Sequence, residues 1–194
     1  MDGENISRIF KKMPVIECER LILRPMRVTD AEDVYDYAKR PDLTRYLLWS
    51  PHPFLAHTKE YLKYVVKQYR AGNFYDWAIE EKESGKMIGT CGFTAIDTEH
   101  RSGELGYVIN PDFHCRGYAP EAAKAVMDFG FRELRLNRIQ CRFMKGNEAS
   151  LKVAKKLGMT FEGVYRSSIC INGIYRDVGM CSILKSEYES LGEK

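Results

Sequence analysis

Glu104-Leu-Gly-Tyr-Val-Ile-Asn-Pro111 and His114-Cys-Arg-Gly-Tyr-Ala-Pro-Glu-Ala122 predict a strand, an irregular loop and a helix in direct succession. The first run is apolar and ends at an Asn-Pro pair, and Pro120 stands where a helix tolerates proline, in its first turn. Gly117 and the small Ala119 directly precede this helix, so that an anion could approach the backbone N–H groups at its positive end. The segment therefore predicts an anion site, although an ordinary strand–helix loop with a glycine turn would show the same pattern.

The rest of the chain carries strand and amphipathic-helix patterns without repeats, linkers or low-complexity stretches. The strongest local signal is Asn172-Gly173, which is typical of a tight hairpin turn. The element order, β-α-α-β-β-β-α-β-α-β-β, predicts one mixed α/β domain. Strands are predicted at 19–24, 75–80, 86–96, 103–110, 138–143, 160–171 and 176–184, and helices at 29–38, 43–48, 58–72, 121–135 and 148–157.

Composition and charge exclude several classes of protein. The 194 residues are 44% hydrophobic, which is enough for one well-buried domain. Lys and Arg number 30 against 27 Asp and Glu, and a net charge of +3 argues against disorder and against direct nucleic-acid binding. No apolar run reaches the ~20 residues of a membrane-spanning helix, and the acidic start is unlike a signal peptide. We expect a cytoplasmic protein with no membrane contact, comprising a loosely held lead-in at 1–16, a domain at 17–188 and a tail at 189–194.

The cysteines and glycines exclude other kinds of site. The six cysteines are scattered, without a C-x-x-C pair, so we expect free thiols and no metal. The only Cys/His neighbours are His114 and Cys115, and adjacent side chains on a loop rarely form a nucleophile–base pair. The glycine spacing matches neither the P-loop nor the dinucleotide fingerprint, which disfavours nucleotide triphosphatases and Rossmann enzymes.

The loop that begins at His114 resembles the acyl-CoA motif of the GNAT superfamily of N-acetyltransferases, Q/R-x-x-G-x-G/A. Gly117 and Ala119 match this motif, and His114 replaces its usual first residue. Asn147-Glu-Ala-Ser-Leu-Lys-Val-Ala-Lys-Lys-Leu-Gly-Met159 resembles the second GNAT motif, N-x-x-[A/S]…G-[F/M]. The likeness spans roughly residues 17–188 and is closest to the RimJ/RimL branch, named for acetylation of ribosomal-protein N-termini. It implies the GNAT fold, a central, mostly antiparallel sheet flanked by helices.

The resemblance also implies where acetyl-CoA binds. The strand after Glu104 should diverge from its neighbour, so that its backbone can pair with the pantetheine amides. The pyrophosphate should lie on the loop amides, where the anion site is predicted, and Asn147 should cap a helix and keep its NH₂ group free for pantetheine. The implied cofactor-binding residues are Tyr107, Val108, Ile109, Arg116, Gly117, Tyr118, Ala119 and Asn147.

Two residues are the catalytic candidates. Glu104 is the predicted base, since partial burial in an apolar strand would raise its pKa; the alternative is a solvent-facing or salt-bridged strand residue. Ser150 is the predicted donor to the departing CoA sulfur, because Ala154 occupies the position where many relatives have a tyrosine. The alternative for Ser150 is a neutral hydroxyl in the first turn of a helix.

Other polar and aromatic residues have less specific interpretations. Trp49, His52 and Phe54 lie in a proline-rich loop, where the family builds the acceptor mouth, although core packing would explain them equally well. Asp177 is interpreted as a structural pairing partner rather than a catalyst. Three lysines are expected to form a solvated helix face or to attract the 3′-phosphate of CoA: Lys152, Lys155 and Lys156.

The sequence thus predicts an N-acetyltransferase that moves acetyl from acetyl-CoA to a primary amine by direct attack. The preferred acceptor is the α-amine of a protein or peptide N-terminus, for instance of a ribosomal protein. The alternatives are a small amine, such as a polyamine or an aminoglycoside, and a CoA-binding module without catalysis. The expected assembly is a monomer or a homodimer.

Overall fold

The structure is a computed structural model that describes residues 3–191, and within this range it contains one eight-stranded sheet. The strand order is β1-β2-β3-β4-β5-β6-β8-β7, and every neighbouring pair is antiparallel except β5 with β6. The predicted mixed, mostly antiparallel sheet is therefore confirmed. The strands are β1 Ile16–Glu17, β2 Leu21–Arg24, β3 Tyr75–Glu81, β4 Met87–Asp97, β5 Ser102–Ile109, β6 Arg138–Met144, β7 Thr160–Ile171 and β8 Ile174–Leu184.

Helices cover both faces of the sheet. Helix α2 packs on β4 and α4, whereas α5 packs on β4, β5 and α6 from the opposite face. Short 3₁₀ turns at Val28–Asp30 and Pro111–Phe113 lead out of β2 and β5. The helices are α1 Gly3–Lys11, α2 Ala31–Ala38, α3 Pro41–Thr44, α4 Leu55–Ala71, α5 Tyr118–Arg132, α6 Glu148–Lys156 and α7 Lys185–Leu191.

The first residues of the chain belong to the core, so the predicted loosely held lead-in at 1–16 is wrong for the part that the structure describes. Ile6 and Phe10 lie on one face of α1 and are 2% and 0% exposed. The Phe10 ring contacts Trp77 edge-on at 5.5 Å, and the Trp77 indole donates a 2.7 Å hydrogen bond to the Pro14 carbonyl. The charged residues between the apolar positions hid this short amphipathic helix. Residues 1–2 lie outside the described residues.

The predicted tail at 189–194 begins inside a helix. Helix α7 extends to Leu191, and its Tyr188 ring stacks on Phe131 with 4.8 Å between the ring centroids. Residues 192–194 lie outside the described residues.

The turns follow the sequence signals closely at some places and not at others. Asn172 and Gly173 form the predicted hairpin turn with φ values of 51° and 77°. Helix α4 ends at Gly72 in the left-handed region, as its sequence predicted. The helix predicted from residue 29 begins at Ala31 instead, because Asp30 accepts a 2.7 Å hydrogen bond from the Arg27 N–H and closes a 3₁₀ turn before it.

Candidate active site

A gap opens between β5 and β6 directly after Glu104. The parallel pairing of the two strands ends at Glu104 and Gln140. Beyond this point β5 stays paired with β4 as far as Ile109, whereas β6 stays paired with β8 as far as Met144. The edge of β5 that faces β6 is consequently free of strand partners from 105 to 109. The structure has the divergence that the resemblance implied.

Alternation along β5 decides which backbone groups face this gap. The Asn110 N–H donates to the Ile88 carbonyl at 2.7 Å, which makes this a hydrogen-bonded pair of the antiparallel ladder. Two residues earlier, Val108 therefore turns its N–H and C=O toward β4, and its predicted backbone contact with pantetheine is not supported. Tyr107 and Ile109 turn theirs toward the gap. The Ile109 carbonyl is already hydrogen-bonded to the His114 ring nitrogen Nε2 at 2.8 Å.

The predicted anion loop ends in a helix N-terminus. Gly117 is the N-cap of α5 with φ of 83°, so α5 begins at Tyr118, three residues before the predicted start. Its first N–H groups have no acceptor within the helix and point toward an incoming anion. The exposed Arg116 guanidinium donates to the Asp112 carbonyl at 3.1 Å. The Tyr118 side chain is buried and donates to Glu81, so this residue can serve an anion only through its N–H.

Arg20 is a residue of this site that the sequence analysis missed. Its Nη1 donates to the Arg116 carbonyl at 2.8 Å, and its Nη2 is paired with Glu121 at 2.7 Å. Its guanidinium also lies 4.7 Å from the centre of the Tyr118 ring. Arg20 therefore holds the loop against the first turn of α5 and adds positive charge beside Gly117. No local pattern marks this role, because the contacts join residues about a hundred positions apart.

Glu104 lies where the two strands separate, and its surroundings are those of the salt-bridged alternative rather than of an apolar strand. Its carboxylate forms an ion pair with Arg142 of β6 at 2.7 Å, and the Thr94 hydroxyl donates to it at 3.0 Å. The Glu104 side chain keeps 14% of its surface exposed. The carboxylate is thus held at the rim of the gap by a neighbour on each side, and it remains accessible.

Helix α6 begins on the other side of the gap. Asn147 is its N-cap, as predicted, and accepts a 3.2 Å hydrogen bond from the Ser150 N–H. The Tyr107 hydroxyl reaches across from β5 and donates to the Ser150 carbonyl at 3.4 Å. Burial raises the pKa of Tyr107, and a hydrogen bond with the Ser150 side chain opposes that rise. The structure therefore gives Tyr107 a side-chain role beside Ser150 that was not predicted. Ala154 lies on the buried face of α6.

The proline-rich loop lies next to this helix. The Tyr46 hydroxyl donates to the Gly146 carbonyl at 3.1 Å, which holds the loop beside the start of α6. Trp49 and Phe54 are 37% and 58% exposed, so core packing does not explain them. His52 is half-buried, its Nδ1 lies 2.8 Å from the Thr58 hydroxyl, and burial followed by the neighbouring His57 lowers its pKa.

A sequence model described as an acetyltransferase (GNAT) domain matches residues 20–160, which include the gap, the anion loop and α6. The chain belongs to the GNAT acetyltransferase family. It is therefore an acetyl-CoA-dependent acyltransferase, and the predicted family, fold and enzyme class are confirmed.

Relatives of this GNAT acetyltransferase match over nearly their whole length. The uncharacterized N-acetyltransferase p20 of Bacillus licheniformis is 33% identical over 176 residues, covering 91% of this chain and 99% of p20. A crystal structure of a GNAT-family acetyltransferase from Bacillus anthracis superposes with a TM-score of 0.81 at 27% identity, covering 89% of this chain and 99% of the other.

Two further relatives carry names that mention an acceptor. YdaF of Bacillus subtilis, whose name assigns it provisionally to ribosomal N-acetylation, is 28% identical and covers 91% of this chain and 96% of its own. The spermidine N(1)-acetyltransferase of Escherichia coli K12 is 26% identical, with 86% and 87% covered. These names describe those proteins, and they point to two different classes of amine.

The remaining predicted residues of this GNAT enzyme lie outside the gap. Asp177 has a structural role, since it accepts from the Ser167 N–H at 3.0 Å and lies 3.5 Å from the Lys145 ammonium; the first contact and then the second lower its pKa. Three lysines are exposed on α6, and two of them, Lys155 and Lys156, line a cleft of ≈ 1520 Å³ between α5, α6 and α7.

Neither a membrane-spanning helix nor a group of metal ligands occurs among the described residues. Between residues 3 and 191, no helix is long and apolar enough to cross a membrane. Within the same range, no three His, Cys, Asp or Glu side chains are grouped so as to hold a metal ion.

Proposed function

We propose that this enzyme transfers the acetyl group of acetyl-CoA directly to a primary amine, and that the preferred acceptor is the α-amine of a protein or peptide N-terminus. The observation that carries the proposal is the position of Glu104. Its accessible carboxylate stands at the point where β5 leaves β6, with Ser150 and Tyr107 at the same gap. A carboxylate and a hydroxyl at one opening are the two groups that amine acylation needs.

The acetyl group passes from sulfur to nitrogen in one step. The neutral amine nitrogen attacks the thioester carbon, a C–N bond forms and the C–S bond breaks. The nitrogen gives its surplus proton to Glu104, directly or through a water molecule, and the electron pair of the broken bond leaves on the CoA sulfur. The Ser150 hydroxyl donates a hydrogen bond to that sulfur. Asn147 holds the Ser150 backbone N–H, and Tyr107 contacts the Ser150 side chain. The Gly117 loop and the gap-facing groups of Tyr107 would bind the pyrophosphate and pantetheine of CoA.

The α-amine is favoured by its ionisation. It has a pKa of ~7.7–8.0 against ~10.4 for lysine, so roughly a tenth of N-termini are neutral at pH 7 against about one lysine in two thousand. An N-terminal amine therefore needs less help from a base than a lysine side chain does. The name of YdaF is in keeping with this class of acceptor.

The acceptor prediction can be tested with peptides. Peptides with a free Ser or Ala N-terminus should be acetylated faster than N-blocked peptides that contain lysine, because more of their amine is neutral at pH 7. Thiol release from acetyl-CoA measures the rate, and mass spectrometry locates the acetyl group. Faster acetylation of spermidine or an aminoglycoside than of every such peptide would contradict the N-terminal preference and support the small-amine alternative. CoA binding without thiol release from any amine would instead support a non-catalytic module.

The role of Ser150 gives a second test. Ser150→Ala should slow turnover while leaving CoA affinity nearly intact, because the hydroxyl acts on the leaving sulfur and the helix cap depends on Asn147 and the backbone. Tyr107→Phe should cause a smaller loss, since it removes only the hydroxyl that positions Ser150. General acid–base groups contribute ~10²–10⁴-fold, which sets the upper range for Ser150→Ala. Steady-state rates and a CoA titration separate the two quantities, and an unchanged kcat in Ser150→Ala would remove the hydroxyl from the mechanism.

A further inference from the structure

Asp76 is a deeply set acid on β3 with an oxygen that lacks a partner. Among the buried side-chain oxygens and nitrogens of residues 3–191, its Oδ1 is the one without a hydrogen bond. The residue as a whole is nevertheless partly accessible. The terminal torsion of an aspartate turns easily. Oδ1 itself is buried, so a ligand group would contact the carboxylate after such a turn toward the accessible side of the residue.

Among residues 3–191, no cationic side chain compensates this acid. Burial, opposed by the Thr90 hydroxyl and the Trp77 N–H, raises the pKa of Asp76 to about 7, and within the described chain no Lys, Arg or His is among the groups that influence it. Its titratable neighbours are the hydroxyls of Tyr37, Tyr61 and Tyr69 and the thiol of Cys91, whose pKa values the acid raises further. Buried carboxylates are normally paired, and leaving one unpaired costs stability. A positively charged ligand group would supply the missing partner.

Aromatic rings connect this acid with the predicted acceptor mouth. The half-exposed Trp49 lies 5.4 Å from the His52 ring, and His52 lies 5.9 Å from the Tyr61 ring. Burial and then the charge of the Asp76 carboxylate raise the pKa of Tyr61. Ring faces attract cations, so a path of this kind suits an ammonium or guanidinium group.

Two glycines lie between Asp76 and Glu104 in the sheet. Asp76 is paired with Gly92 of β4, which is paired with Gly106 of β5, and Glu104 follows two residues away on the same face of β5. A Cβ at Gly92 would lie 2.9 Å from Oδ1 of Asp76, so the carboxylate lies directly beside Gly92. With strands ~4.8 Å apart and a rise of ~3.4 Å per residue, the Cα atoms of the two acids are roughly 12 Å apart in a straight line across the sheet. The two positions between them are glycines, and the Thr94 side chain borders the Gly106 end of this row beside Glu104, so an extended acceptor chain would run along the row past Thr94.

We infer that Asp76 is a specificity-determining residue that binds a second positively charged group of the acceptor, away from the amine that Glu104 deprotonates. This inference rests on the proposed function. The shared chemistry is a cation on an extended chain, and it has two sources: the far ammonium of a polyamine, or a basic side chain close to a peptide N-terminus. Asp76 binds the cation and takes no part in the acetyl transfer.

Matched acceptors test the inference in the unmodified enzyme. One pair is 1,8-diaminooctane and 8-amino-1-octanol, and the other is Ser-Arg-Gly-Gly and the same peptide with neutral citrulline in place of arginine. We expect kcat/KM to be about ten- to a hundred-fold higher for the charged member, mostly through KM, which corresponds to one charge-assisted hydrogen bond. A preference in the first pair alone identifies a polyamine site, and a preference in the peptide pair identifies a basic N-terminal sequence. Equal values in both pairs would overturn the inference while the acetylation itself upholds the proposed function; acetylation of no amine at all would overturn both.

Asp76→Asn gives the matching variant. It should bring the ratio within each preferred pair close to one, whereas Asp36→Asn, which removes an exposed acid paired with Lys39, should keep the wild-type ratio. Persistence of the preference in Asp76→Asn would contradict the inference.

Thermal unfolding shows whether Asp76→Asn is folded and whether Asp76 has a merely structural role. Between pH 3.8 and about 7 the folded protein retains a proton on Asp76 that the unfolded chain has released, so this residue lowers stability as the pH rises through that window. The variant should therefore gain Tm relative to the wild type from pH 5 to pH 8. A structural acid would make the variant less stable throughout.

Discussion

A Gly117→Val variant should lose the thermal stabilisation that we expect CoA to give to the unmodified protein. Gly117 is the N-cap of α5 with φ of 83°, a conformation that a β-branched residue strongly disfavours. A side chain there also projects toward the Arg20 guanidinium, 3.3 Å from the position of its Cβ, and covers the amides on which the pyrophosphate is expected to lie. Both effects act on the anion site, so we expect binding to fall below detection.

The size of the lost signal follows from mass action. Ligand at a hundred times its Kd stabilises a protein by about 2.7 kcal/mol, which for a chain of this length shifts Tm by roughly 5–10 °C. Thermal unfolding with and without millimolar CoA measures the shift in both proteins. The unmodified protein must show it, since the family assignment places an acyl-CoA site in this chain.

Backbone strain alone must be separated from loss of the anion site. Gly173 has φ of 77° and nothing within 4 Å of an added Cβ, and it lies in the distant β7–β8 turn. Gly173→Val therefore carries the same conformational cost without touching the loop, and it should lower Tm but keep the full CoA shift. A Gly117→Val protein that still responds to CoA like the wild type would place the pyrophosphate elsewhere.

Local patterns were sufficient to predict most of the fold. The Asn-Gly turn, the strand alternation and the glycine-terminated α4 each depend on residues close together in the sequence. Helix α1 was missed because its nine residues make only about two and a half turns, and because the burial of Phe10 depends on Trp77, far along the chain. Propensity and periodicity do not report such long-range packing.

The candidate site divides in the same way. Gly117, Asn147 and Ser150 lie in contiguous motifs, so their positions could be predicted, whereas Arg20 and Asp76 act through contacts between distant segments. For the same reason, the sequence could not decide between an apolar and a salt-bridged environment for Glu104. Its strand is apolar in sequence, but Arg142 arrives from the neighbouring β6 and forms an ion pair with it. Strand alternation predicts which residues of one strand lie on the same face of the sheet. Only the assembled sheet shows which charged side chain of the neighbouring strand lies beside them.

Glu104→Gln should lower kcat at neutral pH by the ~10²–10⁴-fold that general acid–base groups typically contribute. Glutamine has nearly the same shape and can keep the contact with Thr94, but it cannot take the proton of the attacking amine. The loss should shrink as the pH rises past the pKa of the acceptor, ~7.7–8.0 for an α-amine, because the nucleophile then deprotonates in solution. The pH profile of kcat, measured with a peptide acceptor, therefore distinguishes a lost base from a distorted site.

The Glu104 substitution also breaks an ion pair, so its control must break a similar one. Glu162 of β7 is paired with Arg138 of β6 at 2.6 Å, on the far side of β6 from the gap, and that pair holds the pKa of Glu162 at about 2. Glu162→Gln removes the same type of strand-to-strand contact without touching the β5–β6 opening. We expect it to leave the pH profile unchanged, with at most a modest fall in Tm, since partly exposed ion pairs contribute about 0–1 kcal/mol. If Glu104→Gln behaves like Glu162→Gln, with a normal rate at pH 7, the carboxylate at the rim of the gap is a structural partner of Arg142 and another group accepts the proton.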